Sequence, residues 1–140
     1  MKKKIMYISI ISVMCLVILY TLLKINNFYK TKYIYEKFVS IYKNREFISD
    51  VNDPLYEDSE SFKNFTKNLD YEICFVCPYF WDVSLNGDTG YISGSVMIKY
   101  YNEKYNEVYY ETFPKYSKYI IKKIDNKWII VDKDYSKYLG

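Results

Sequence analysis

The side chains best placed to do chemistry are two cysteines three apart, in Cys74-Phe75-Val76-Cys77, and one aspartate set among aromatic residues, Asp82. A CxxC pair serves either as half of a zinc site or as a redox dithiol. Structural zinc needs four ligands, whereas this chain has one further cysteine, Cys15, and no histidine. A redox dithiol works where a helix N-terminus lowers a thiol pKa. Here the pair ends a strand-like stretch, and an odd spacing of three sends the two side chains to opposite faces. A redox role for Cys74 and Cys77 therefore requires the chain to bend before Pro78. The simpler reading is two small buried hydrophobes.

Asp82 carries a different chemistry. An inward carboxylate beside tyrosines can act as general base while a phenol supports the oxyanion, and Tyr91 or Tyr100 would supply that phenol. Asp82 is flanked by apolar Trp81 and Val83, however, so a solvent-facing position accounts for it more simply. The missing histidine removes Ser-His and Cys-His nucleophilic pairs together with every imidazole metal site. Asn126, Asp132 and Asp134 lack the spacing of a calcium loop. No cofactor and no metal is expected, and the residues favour a domain that binds rather than catalyses.

The elements that position these residues follow a membrane anchor. Ile5 to Leu23 is a run of 19 residues without a charge, bracketed by Lys2, Lys3, Lys4 and Lys24. As a helix it would be roughly 28 Å long, the thickness of a bilayer's hydrocarbon core. A cleaved signal would have a shorter apolar stretch and small residues before the cut, which Tyr20 to Asn26 lack. Residues 1–25 therefore read as a signal-anchor and residues 26–140 as one displayed domain. The lysine cap stays cytoplasmic by the positive-inside bias, which places the domain outside the cell membrane. The net charge of +3 lies in that cap, since 20 basic residues less Lys2, Lys3 and Lys4 equal the 17 acidic ones. A nucleic-acid binder would gather basic residues in its folded part, so nucleic acid is excluded as a partner. The expected partners are the membrane and a protein or small ligand.

Asn26 and Asn27 interrupt the apolar run, and Phe28 to Phe47 then shows helical spacing with Ile34, Phe38, Ile41 and Tyr42 on one face. Asp53-Pro54 caps a second helix, Pro54 to Asn68, whose Glu57 and Asp58 suit the helix dipole and whose apolar face holds Leu55, Phe62, Phe65 and Leu69. From Leu69 the period becomes two. Tyr71, Ile73 and Phe75 form one buried row, and Tyr79, Trp81, Val83 and Leu85 another. Asn86-Gly87 turns into a strand from Asp88 to Tyr101, in which Gly94 marks a bulge. A turn at Asn102-Glu103-Lys104 leads to Tyr105 to Phe113, which Pro114 ends. Tyr119 to Ile124 then turns at Asp125-Asn126 into Trp128 to Val131, with Trp128 as a core anchor. The expected fold is α+β, two helices packed on one face of a curved antiparallel sheet.

Two strings, "WDVSLNGDTGYISGSVMIKY" at Trp81 to Tyr100 and "YIIKKIDNKWIIVDKDY" at Tyr119 to Tyr135, carry a resemblance to the nuclear transport factor 2-like superfamily. The likeness extends from Phe28 to the end, and a cystatin-like fold would share the pattern. It implies a cone-shaped domain whose helices close over a strongly bent sheet. Members include pocket enzymes such as ketosteroid isomerase, and membrane-anchored modules that assemble bacterial secretion and conjugation systems. The resemblance thus implies an envelope or transfer assembly module, with an isomerase, dehydratase or hydrolase using Asp82 as the alternative and a thiol redox protein as the third.

Overall fold

A computed structural model of the chain describes residues 2–68, 72–102 and 104–134. It is an α+β arrangement in which three helices, α1 (Lys2–Lys30), α2 (Lys32–Tyr42) and α3 (Tyr56–Lys67), precede four strands. The strands β1 (Glu72–Asn86), β2 (Thr89–Asn102), β3 (Glu107–Ile124) and β4 (Lys127–Asp134) form one antiparallel sheet in the order β1-β2-β3-β4. Leu69, Tyr71, Glu103 and Tyr135, to which the sequence assigns strand, turn and helix-face places, lie outside the described residues.

Met6–Lys30 is long and apolar enough to cross a membrane, and none of its most apolar window is buried within the protein. A helix apolar on all sides is at home in lipid rather than in water. Contrary to the sequence expectation, Asn26 and Asn27 do not stop it. The helix runs on to Lys30 and breaks at Thr31, whose amide bonds both Asn27 O (3.2 Å) and Phe28 O (3.1 Å). The Thr31 hydroxyl donates back to the same carbonyls, a β-branched side chain competing with the helix ladder. Helix α2 therefore leaves α1 at a kink and carries Ile34, Phe38, Ile41 and Tyr42 into the core, the four residues that the 3.6 period selects.

Asp53 does cap the entry to α3, accepting the Leu55 amide at 2.9 Å, although the helix proper starts at Tyr56. Lys37 of α2 reaches the other oxygen of the same carboxylate at 2.6 Å and ties the two helices together. Phe62 and Phe65 then pack on Phe113, and Phe38 packs on Phe80 and Tyr119. Trp128 is 5% exposed and belongs to the same core. Helices thus cover one face of the sheet, and the other face is open.

Register shifts rewrite the strand faces. Ile73 pairs with Tyr100 and Phe75 with Lys99, so Cys74 is an extra residue; Phe80 pairs with Gly94 and Asp82 with Ser93, so Trp81 is another. Each inserted residue moves every following side chain to the other face. The core row of β1 is consequently Ile73, Val76, Phe80, Val83 and Leu85, while Phe75, Tyr79 and Trp81, expected inside, are 49%, 55% and 43% exposed. Gly94 does lie at a bulge, and a Cβ there would meet the Phe80 ring at 2.3 Å. Pro114 does not end its strand. Gly94 pairs with Ser117 and Val96 with Phe113, so the register shifts between them. The first hairpin turns on Gly87 and Asp88, one residue later than expected, with only Gly87 at positive φ, whereas Asp125 and Asn126 both have positive φ.

Candidate functional site

Asp82 stands on the open face of the sheet, at the end of a register row that crosses all four strands through Ser93 and Lys118 to Asp134. Its Oδ1 accepts from Lys24 Nζ at 2.7 Å, so the residue that ends the charge-free run grips the edge strand. Tyr91 also donates to it, and the Lys118 ammonium lies 4.3 Å from the centre of the Tyr91 ring. Lys118 is 3.6 Å from Asp134. The Lys24 hydrogen bond holds the Asp82 carboxyl below the usual carboxylate range despite partial burial. A general base needs the opposite shift and an enclosed site. Asp82 has neither, being 35% exposed in its side chain. Tyr91 is thus near Asp82 as the sequence places it. Tyr100 is not: it pairs with Ile73 at the far end of the sheet and packs on Phe65.

The cysteines are free thiols on an extended strand, Cys74 exposed and Cys77 half-buried, rather than buried hydrophobes. Cys74 occupies the bulge and its sulfur faces Glu72 O, while Cys77 lies across from Met97. Along a strand the two Cα atoms are about 10 Å apart, beyond disulfide reach. Among the described residues, no three Cys, Asp or Glu side chains gather in a way that could hold a metal ion.

A polar cluster that the sequence reading missed lies in the core. Asp58 of α3, 7% exposed, accepts from the Tyr119 hydroxyl at 2.8 Å and from Lys133 Nζ at 2.5 Å. Tyr42 is buried beside them, and its hydroxyl has no hydrogen-bond partner among the described residues. Burial, then the Asp58 charge, pushes the phenols of Tyr42 and Tyr119 well above the usual tyrosine value. An Asp58 signal was present in the chain: it sits four residues before Phe62 and three after Leu55, on the apolar face of its helix. What no local pattern carries is Lys133, 75 residues away.

No family model, curated protein or solved structure matches the chain.

Two open grooves lie among the described residues. One of about 420 Å³ lies between Lys30, Gly87, Lys123 and Asn126 at the hairpin ends. Another, about 390 Å³ and apolar, follows Lys24 between Ile25, Phe28, Tyr35 and Phe80. Away from α1, the uncovered sheet face presents Phe75, Met97, Val108 and Tyr110, which are 49%, 38%, 47% and 63% exposed. Register places them together, because Phe75, Lys99 and Tyr110 form one cross-strand row, with Met97 and Tyr101–Val108 in the flanking rows. Contiguous exposed apolar side chains of this kind mark a contact surface more often than a solvated one.

Proposed function

We propose that this protein is a single-pass membrane protein that displays a non-catalytic binding or assembly domain on the extracytoplasmic side of the cell membrane. The carrying observation is the exposed patch of Phe75, Met97, Val108 and Tyr110 on the side of the sheet that the helices leave bare. A patch of aromatic and aliphatic residues with one central lysine, Lys99, suits a protein partner with an apolar contact of its own. The three N-terminal lysines support the orientation. Helices packed on one face of an antiparallel sheet with several bulges support the nuclear transport factor 2-like cone as its fold, and assembly machinery as its setting.

Two measurements test this reading. A membrane-impermeant maleimide should label the exposed Cys74 in intact cells; labelling only after lysis would reverse the orientation. A photo-crosslinking residue at Tyr110 should capture one discrete partner, and the same probe at the exposed Lys122, beyond the patch, should not. A lone monomer recovered from detergent, with no adduct at Tyr110, would end the proposal.

A further inference from the structure

Among the described residues, the two edge strands of the sheet differ in charge. Strand β4 carries Lys127, Asp132, Lys133 and Asp134 in its eight residues. Strand β1 has none from Ile73 to Trp81, although it is 15 residues long and lies at the opposite edge. In water an edge of that length is normally blunted by charges, lysine above all, because its open backbone and apolar side chains invite association. Of the devices that blunt an edge, that stretch keeps Pro78 and the bulges at Cys74 and Trp81, and carries no charge. Its setting explains the difference.

Lys24 follows directly on the charge-free run that spans the hydrocarbon core, so its ammonium marks the start of the headgroup layer. Asp82 is bonded to that ammonium at 2.7 Å, which fixes the height of β1 above the lipid. Trp81 is the next residue, and its ring lies 5.4 Å from that of Tyr79, both more than two-fifths exposed. Tryptophan and tyrosine are the side chains that settle at a bilayer's polar boundary, where the ring is buried and the N–H or O–H stays wet. On the other side of Lys24, the apolar groove between Ile25, Phe28 and Phe80 continues the same surface.

We propose that the outer edge of β1 rests in the headgroup layer of the bilayer that α1 crosses, with Trp81 and Tyr79 inserted and the Lys24–Asp82 pair setting the angle of the domain. This rests on the anchor reading. The occupant is lipid of no particular charge, because β1 offers aromatic rings and no basic residue from Ile73 to Trp81, and the Lys24 charge beside it is paired with Asp82. The domain thus lies down on the membrane, and the Met97–Tyr110 patch is held at a fixed tilt for its partner.

Tryptophan fluorescence of the full chain in phosphatidylcholine vesicles tests it, since Trp128 is buried and Trp81 is not. Brominated acyl chains should quench the wild type, and Trp81→Phe should lower the quenched fraction about twofold or more. Tyr79→Trp in that background should restore it. Quenching should hold when salt is raised, because no ionic attraction is involved. Equal quenching in wild type and Trp81→Phe, in chains that float with vesicles after alkaline extraction, would overturn the proposal while leaving the anchor intact. A Trp81 shielded from lipid by crosslinkable β1-to-β1 dimers would overturn it in favour of self-association. Failure to float would remove the anchor and the proposal together.

Discussion

Two aspartate–lysine pairs each join a helix to a strand in this protein, and their surroundings are opposite. Asp58 and Lys133 are 7% and 8% exposed in their side chains, closed in by Tyr119 and Tyr42. Lys24 and Asp82 are 31% and 35% exposed at the foot of the sheet. The same two functional groups therefore do different jobs. Inside, each charge has lost its water and depends on its partner, so the pair ties α3 to the end of β4 and resists removal of either member. Outside, water competes for both charges, and the pair directs where the edge strand sits without adding much to stability. Geometry at the pair is nearly alike in both cases. Desolvation is what separates them.

Breaking the inner pair should have the largest effect. Asp58→Ala removes the carboxylate that accepts from the buried Lys133 ammonium and the Tyr119 hydroxyl, and is expected to cost about 3–5 kcal/mol in urea unfolding. Alkali offers a second probe of the inner cluster. The folded-state pKa values of Tyr42 and Tyr119 are raised above the ordinary value near 10, so only the unfolded chain ionises there readily. The stability that these phenols contribute is fully present below about pH 10 and is lost as pH rises beyond it. Unfolding free energy measured from pH 8 upward should thus begin to fall near pH 10, and a flat profile would contradict the burial of both phenols. Tyr42→Phe sharpens the contrast in the other direction. It removes a buried hydroxyl that has no hydrogen-bond partner among the described residues, and should stabilise the fold by about 1 kcal/mol.

The outer pair should respond least. Asp82→Asn should change global stability by less than about 1 kcal/mol. Its pH dependence has the opposite sign to that of the tyrosines: the Asp82 carboxyl is held low, so its small contribution is present above the ordinary aspartate value near 4 and is lost as pH falls through the lowered one. A loss of several kcal/mol in Asp82→Asn would erase the distinction between the two pairs.

Much of the scaffold is legible in the chain because it is written in short-range terms. The apolar run before Lys24, the buried face Ile34, Phe38, Ile41 and Tyr42, the Asp53 cap and the Asp125-Asn126 turn each depend on residues within a few positions of one another. The faces of β1 are not legible in this way. Cys74 and Trp81 are bulged only because Tyr100, Lys99, Gly94 and Ser93 sit opposite, and one inserted residue inverts an alternation that looks regular. That inversion moved Tyr79 and Trp81 from the expected core to an exposed edge, and put Asp82 in the grip of Lys24.

By itself, the sequence determined a helix long and apolar enough to cross a membrane, the buried face of α2, the Asp125-Asn126 turn and the order of helices before antiparallel strands, since hydrophobic period and backbone preference act locally. Only the tertiary structure decided which aspartate is buried and which is latched to α1. Asp58 finds Lys133 across 75 residues and Asp82 finds Lys24 across 58, and desolvation is a property of everything that closes around a charge rather than of its neighbours in the chain.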